Sequence, residues 1–156
     1  PMDSYSIGQP QVLIDEVRPS REANNTKKMA IISIGNMMKP VLDILPELRK
    51  EYRESHRGQD FELILLNARY LKPLNEDTYL DILSRVDNVI TLEDNVVTGG
   101  FGANIMRLIS ENKLDTSLDI LGIPDKFIEQ GNTEILMDEL GLSPGKIKDR
   151  ILKIIE

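Results

Sequence analysis

Residues 29–35 read Met-Ala-Ile-Ile-Ser-Ile-Gly, an apolar run without polar alternation that ends in glycine. Such a run is typical of a strand covered on both faces in a parallel sheet. Apolar residues then recur at helical spacing, at Val41, Leu45, Leu48 and Tyr52. This second pattern predicts an amphipathic helix. A buried strand followed by a helix is the building unit of an α/β fold.

The same unit recurs along the chain. Three further apolar runs predict buried strands at Phe61–Ala68, Asn88–Asp94 and Leu118–Ile123. Helices are predicted after the first two of these strands. One begins near Asn75 as N-cap and carries Tyr79, Ile82, Leu83 and Val86, and the other carries Ile105, Met106 and Ile109. The alternation predicts a mostly parallel sheet with helices on both faces, a three-layer α/β/α sandwich.

The two ends of the chain complete this prediction. Gln11–Glu16 is a short apolar strand followed by a polar run from Arg18 to Lys28, which has no helical period. Without a crossover helix, this strand is expected at an edge of the sheet or antiparallel to it. Two terminal helices are predicted at Asn132–Leu140, stopped by Gly141, and at Pro144–Ile155, with Ser143 as N-cap.

Composition narrows the class of protein. Among 156 residues, 26 Asp and Glu outnumber 19 Lys and Arg, for a net charge of −7, which argues against a nucleic-acid partner. No apolar run approaches the ~18 residues of a membrane span, so no membrane association is expected. The sequence has no cysteine, so disulfides and thiolate metal sites are excluded and a cytoplasmic location is the default expectation. Pro1 precedes Met2, and residues 1–6 are expected to be a linker or cloning remnant before a domain spanning 7–156.

Polar residues and glycines cluster after the strand predicted at 88–94. Glu93 and Asp94 end that strand, at the carboxyl edge where open α/β sheets bind ligands, and Asn95 follows them. A glycine loop then leads into a helix, as Gly99, Gly100, Phe101 and Gly102. A dinucleotide fingerprint would need glycine where Ile105 stands, and no Gly-Lys-Ser or Gly-Lys-Thr triplet exists. Two interpretations remain: close packing of the glycines beside capping or loop-fixing carboxylates, or contact with a ligand or partner domain.

Other candidate side chains offer little chemistry. Arg69 follows the strand predicted at 61–68 and has the same two interpretations as Glu93. His56 is the only histidine and is expected to be a solvated loop residue. Ser33 and Ser110 have no base at a recognisable spacing, so nucleophilic catalysis has no support. The residues by themselves predict an α/β domain without a catalytic constellation.

Four motifs together resemble the C-terminal domain of the 1-deoxy-D-xylulose-5-phosphate synthases, within the wider transketolase C-terminal class. They are Ile34–Pro40, Asn67–Leu74, Glu93–Asn95 followed by Gly99–Gly102, and Gly122–Gly131. Their order and spacing match too, and the resemblance runs from about Ile7 to the end of the chain. It implies a three-layer α/β/α sandwich around a five-stranded mixed sheet whose first strand is antiparallel. Gln130 is a departure, since these synthases commonly carry His there.

The resemblance also implies a function for a parent enzyme. Such synthases condense pyruvate with glyceraldehyde 3-phosphate, with loss of CO2, on thiamine diphosphate held with Mg2+. The product, 1-deoxyxylulose 5-phosphate, feeds isoprenoid, thiamine and pyridoxal synthesis. Their cofactor motif, Gly-Asp-Gly with a downstream Asn, belongs to other domains, and no Gly-Asp-Gly triplet occurs here. This chain is therefore expected to bind no cofactor and to be inactive alone.

The expected partners are the remaining domains of the parent enzyme, which the resemblance implies is a homodimer. The candidate domain-interface loop is formed by Glu93, Asp94, Asn95, Gly99, Gly100, Phe101 and Gly102. Two alternatives remain open. One is a C-terminal docking domain of a 2-oxo acid dehydrogenase beta-type subunit or of a transketolase. The other is a free-standing domain that binds a small molecule at the glycine loop.

Overall fold

A computed structural model describes residues 6–17 and 26–156. The predicted remnant at 1–6 and the polar run from Arg18 to Lys28 therefore lie mostly outside the described residues. Within these described residues, five strands form one sheet: β1 (Gln11–Asp15), β2 (Lys28–Ile34), β3 (Glu62–Asn67), β4 (Asn88–Val96) and β5 (Ser117–Ile123). A 3-10 turn at Gly35–Met37 precedes the first of five helices: α1 (Met38–Ser55), α2 (Glu76–Leu83), α3 (Phe101–Asn112), α4 (Thr133–Glu139) and α5 (Pro144–Ile155).

The strand order across the sheet is β1-β3-β2-β4-β5. Strands β2, β3, β4 and β5 pair in parallel, and β1 pairs antiparallel with β3 at one edge. The sequence-based prediction of a mixed five-stranded sheet with an antiparallel first strand is thus confirmed. Strand β4 continues two residues beyond the predicted Asp94, so Asn95 belongs to the strand.

Side-chain alternation divides the core between the two faces of the sheet. One face packs α1 and α5 through Val41, Leu48, Ile147 and Ile151 against β2, β3 and β4. The opposite face packs α2 and α3 through residues including Tyr79, Leu83, Ile105 and Leu108. Because the central strands are covered on both faces, their apolar runs show no polar alternation.

The structure corrects several details of the helices. Met106, predicted as an apolar position of α3, is 54% exposed, and Leu108 is buried instead. Val86 is buried but lies after the end of α2. His56 lies in the turn after α1, as predicted, but it is only half-exposed because its ring stacks on Tyr52 with centroids 3.9 Å apart. Ser143 takes the N-cap position of α5, but its hydroxyl donates to the Asp138 carboxylate at 2.5 Å rather than capping the helix.

No helix among the described residues has both the length and the hydropathy that crossing a membrane requires.

Candidate functional site

The candidate loop begins where the direction of chain winding reverses. From β2 the chain passes through α1 to β3, which lies toward the β1 edge of the sheet. From β4 it passes through α3 to β5, which lies at the opposite edge. Open α/β sheets bind ligands in the crevice at such a point, outside the carboxyl ends of the strands. Here that crevice is a cavity of about 340 Å3 lined by Ile34, Gly35, Leu71, Glu93, Asp94, Asn95 and Phe101.

Glu93 closes one side of this crevice. Its side chain is buried, with 1% of the residue exposed, and its two carboxylate oxygens accept separate backbone hydrogen bonds. The Phe101 amide donates to Oε2 at 2.8 Å, and the Gly102 amide donates to Oε1 at 3.0 Å. These amides belong to the first turn of α3, where backbone N–H groups have no partner within the helix and the dipole favours negative charge. Glu93 is therefore the cap of α3, supplied by the neighbouring strand.

The glycines after β4 are required for different reasons, and Gly100 is the one that leaves room for the carboxylate. A Cβ atom on Gly100 would collide with the Glu93 carboxylate and lie 2.5 Å from the carbonyl oxygen of Val96. A Cβ on Gly102 would lie 2.5 Å from Cγ2 of Ile120. Gly99 differs, because its φ is +71° and a Cβ there would meet no atom within 4 Å. Gly100 and Gly102 are thus required by close approach, and Gly99 by its backbone conformation.

Asp94 points to the opposite face of the sheet, since successive side chains of a strand alternate. Its Oδ2 atom accepts hydrogen bonds from the backbone amide and from the side-chain amide of Asn36, both at 3.1 Å. Asn36 lies in the 3-10 turn that leads into α1. Gly35 precedes it with φ +70°, and a Cβ there would collide with the Asp94 carboxylate. Asp94 therefore holds the entry to α1 as Glu93 holds the entry to α3.

Phe101 anchors the loop in the core. It is fully buried and contacts Tyr79 edge-on, with ring centroids 6.0 Å apart and an interplanar angle of 61°. Burial raises the pKa of the Tyr79 phenol, so this hydroxyl stays neutral at physiological pH. The aromatic pair fixes the start of α3 against α2.

The seven candidate residues therefore form two groups. Asp94, Asn95 and Gly99 are exposed at the carboxyl edge, whereas Glu93, Gly100, Phe101 and Gly102 are buried. The Val97 amide donates to the carbonyl oxygen of Ile123 at 2.9 Å, which ties this segment to the end of β5. The packing interpretation of the glycine loop accounts for the buried group. Only the exposed group can contact another molecule without rearrangement.

The side chain of Arg69 bonds to the edge strand β1 rather than to the candidate loop. It has φ +59°, and its Nη2 donates to Oε1 of Gln11 on the edge strand β1 at 2.7 Å. Its backbone amide donates a hydrogen bond to Oδ1 of Asn67, the last residue of β3, at 3.1 Å. These bonds give Arg69 a role in holding β1 to the end of β3.

The α3 cap supports the capping or loop-fixing interpretation of Glu93, although the sequence alone did not show which amides the carboxylate would accept from. A signal for it exists: residue 100 is glycine, so the helix has no capping side chain of its own, and its first turn has no acidic residue. Orphan amides at a buried helix start need an acceptor. A carboxylate at the end of the preceding strand is the available one.

The described residues do not fit thiamine diphosphate and its metal. Within 6–17 and 26–156, no three His, Cys, Asp or Glu side chains come together as a metal site would need. The N-terminus of α3, where a diphosphate could bind, is filled by the carboxylate of Glu93.

Comparison with known proteins decides the family. Residues 20–147 match the model of the transketolase C-terminal domain. The chain belongs to the transketolase C-terminal domain family. A solved split-gene transketolase, an inactive beta4 tetramer, superposes on this domain with a TM-score of 0.70 over 97% of this chain and 45% of the other. At 19% sequence identity, that likeness concerns the fold alone.

The relatives of this transketolase C-terminal domain include much longer synthases. It is 33% identical over 150 residues to the 1-deoxy-D-xylulose-5-phosphate synthase of Caldanaerobacter subterraneus subsp. tengcongensis, covering 96% of this chain and 21% of that protein. It is 36% identical over 141 residues to the synthase of Dictyoglomus thermophilum, covering 90% of this chain and 22% of that protein. The chain thus spans about a fifth of the length of the curated relatives it matches.

Proposed function

We propose that this chain is the C-terminal domain of a 1-deoxy-D-xylulose-5-phosphate synthase. The observation that carries the proposal is the 33–36% identity to such synthases across 90–96% of the chain. In the parent enzyme, pyruvate and glyceraldehyde 3-phosphate condense to 1-deoxyxylulose 5-phosphate and CO2, and the product serves isoprenoid, thiamine and pyridoxal synthesis. Thiamine diphosphate and Mg2+ supply that chemistry from the parent's other domains.

In this proposal the domain has a structural role rather than a catalytic one. Its described residues do not fit the cofactor, so no step of the reaction is assigned to them. The exposed part of the candidate loop, Asp94, Asn95 and Gly99, contributes to the interface with the remaining domains of a homodimeric parent. Glu93 and Asp94 support that interface by fixing the entries to α3 and α1. A rigid edge loses less conformational entropy on docking than a mobile one.

We further propose a cytoplasmic location for the parent enzyme. The support is the absence of cysteine from the whole sequence, which suits a reducing compartment. The domain bounds 7–156 stay a prediction, and the family match at 20–147 lies within them.

The test of this function uses a bacterium whose own synthase gene has been deleted. The intact polypeptide that contains this chain is expected to restore growth without added deoxyxylulose, and this chain alone is not. The Gly100→Val change in the intact polypeptide is expected to lower its activity and dimer stability, because the new side chain displaces the Glu93 carboxylate. If both the activity and the dimer stability stay unchanged, the candidate loop does not belong to the interface.

Native size separates the proposal from its alternatives. An antibody against this chain should detect a band roughly four to five times as heavy as the chain, because the chain spans 21–22% of its synthase relatives. A band about twice as heavy would favour the dehydrogenase beta-type subunit. A band at the size of this chain would favour a free-standing domain.

A further inference from the structure

The segment after β5 has a surface unlike the rest of the domain. This segment, residues 124–140, is here called the α4 platform, and none of its residues is buried. Phe127 is 90% exposed and Ile135 is 60% exposed, the two largest exposures among its apolar side chains. Large apolar side chains this exposed within one segment are a feature of surfaces that bind another protein.

Only one side of the platform rests on this domain. Met137 and Leu140 pack against the core that α1 and α5 share, whereas Ile135 lies on the outer side. A shallow cavity of about 210 Å3 lies in the platform itself, lined by Lys126, Phe127, Ile128, Glu129, Leu136, Glu139 and Leu140. A seven-residue helix is marginal by itself and depends on tertiary contacts. A contact on the outer side would therefore stabilise α4.

The charges of the platform indicate which kind of protein surface would bind it. Its acidic residues outnumber its single Lys126, and they are Asp125, Glu129, Glu134, Asp138 and Glu139. Within the described residues, none of these carboxylates forms an ion pair with Lys or Arg, whereas on α1 the carboxylates of Glu47 and Glu51 both pair with Lys148 of α5. The platform thus combines exposed apolar side chains with five carboxylates that form no ion pair among the described residues, which are here called the acidic rim. An apolar surface rimmed by Lys and Arg complements it.

The platform continues the proposed interface. The Val97 amide bonds to the carbonyl oxygen of Ile123, so the segment after β4 lies beside the start of the platform. Gly122 packs there too, since a Cβ on it would lie 2.8 Å from Cγ1 of Val97 and 3.0 Å from the carbonyl oxygen of Asn95. The loop after β4 and the platform therefore form one surface along the carboxyl edge of the sheet.

We propose that the α4 platform docks onto the part of the polypeptide that precedes this domain, with Phe127 filling an apolar pocket there and the acidic rim facing Lys and Arg side chains. This inference rests on the proposed function, because the synthase relatives provide about four-fifths of additional chain to supply that surface. A second copy of this domain fits less well. Two acidic rims brought together would repel each other.

Hydrogen exchange of the α4 amides tests the inference, measured in this chain and in the intact polypeptide that contains it. We expect these amides to exchange at least about tenfold more slowly in the intact polypeptide. Phe127→Ser in the intact polypeptide should return α4 to the fast rate of this chain alone. Met106→Ser is the matched control, because it also removes an exposed apolar side chain, but from α3, and should leave α4 protected.

Each other outcome overturns the inference. Equal exchange of α4 in the two proteins would show that nothing covers the platform, and protection in this chain that grows with its concentration would show that a second copy does. Persistent protection in Phe127→Ser would remove Phe127 as the anchor; thermal melting of the same variant in this chain verifies that it folds. If the intact polypeptide restores growth but α4 stays unprotected, the inference fails alone, whereas a native polypeptide of only 156 residues would defeat the proposed function.

Discussion

The ends of β4 and β5 are neighbours at the carboxyl edge of the sheet, yet their acidic side chains differ in the partners they have. After β4, Glu93 is buried against two amides of α3, and Asp94 accepts two hydrogen bonds from Asn36. After β5, Glu129 and Glu134 are exposed and have no Lys or Arg partner among the described residues. The first pair stabilises the domain itself. The second pair lies on a surface that can accept another molecule.

This difference bears on function because both regions belong to the same edge. The crevice at the end of β4 is where an open α/β sheet ordinarily binds a ligand, but here Glu93 already occupies the backbone amides at the start of α3. The exposed carboxylates of the platform after β5 form no ion pair among the described residues. The domain therefore combines a crevice whose helix amides are already satisfied with an exposed acidic surface beside it.

The largest expected effect comes from removing the buried carboxylate. Glu93→Ala leaves the Phe101 and Gly102 amides without acceptors and should lower the free energy of unfolding by about 3 kcal/mol, measured by urea denaturation. Glu93→Gln keeps the shape and one acceptor oxygen, so its loss should be intermediate. A loss below about 1 kcal/mol in the alanine variant would show that the cap contributes little.

Two glycines of the loop after β4, Gly99 and Gly100, are expected to tolerate a side chain differently. Gly100→Ala should cost about 2 kcal/mol, because the new methyl group meets the Glu93 carboxylate and the Val96 carbonyl oxygen. Gly99→Ala should cost only about 1 kcal/mol, since its strain comes from φ +71° in open space. Thermal melting of the two variants side by side measures the difference, and equal losses would contradict the close approach assigned to Gly100.

A smaller effect is expected on the exposed side of β4. Asp94→Ala removes both hydrogen bonds to Asn36 and should lower the free energy of unfolding by about 1 kcal/mol, less than the loss from Glu93→Ala because Asp94 is exposed. Asp94→Asn retains an acceptor oxygen and serves as the control. If chemical denaturation shows a larger loss of free energy of unfolding for Asp94→Ala than for Glu93→Ala, the roles assigned to the two carboxylates are contradicted.

The smallest effect on this chain is expected at the platform. Ile135→Ser should change the stability of the isolated chain by less than about 0.5 kcal/mol, because the side chain is 60% exposed. The same change should destabilise the intact polypeptide more, since there the side chain faces the docked domains. Differential scanning calorimetry of both proteins makes this comparison, and equal shifts in Tm would indicate that Ile135 is a solvent-facing residue in both.

Sequence patterns predicted the sheet well because they report local periodicity. Residues 29–33 of the first apolar run are buried, and the missing helix after β1 agrees with its antiparallel pairing. Contacts between distant residues were harder to predict. The bond between Glu93 and the amides eight and nine residues later depends on how tightly the chain turns after β4. The prediction that Met106 belongs to the apolar face of α3 was wrong, because helical spacing shows which residues share a face but not how wide the covered face is.

Titration of this chain with thiamine diphosphate and Mg2+, followed by NMR of the backbone amides, tests whether Glu93 blocks the start of α3 to ligands. We expect no saturable shift at residues 93–102, because Glu93 already occupies the amides at the start of α3. Saturable shifts of the Phe101 and Gly102 amides would contradict it. Such shifts would mean that the crevice accepts a ligand and that the chain is a binding domain by itself.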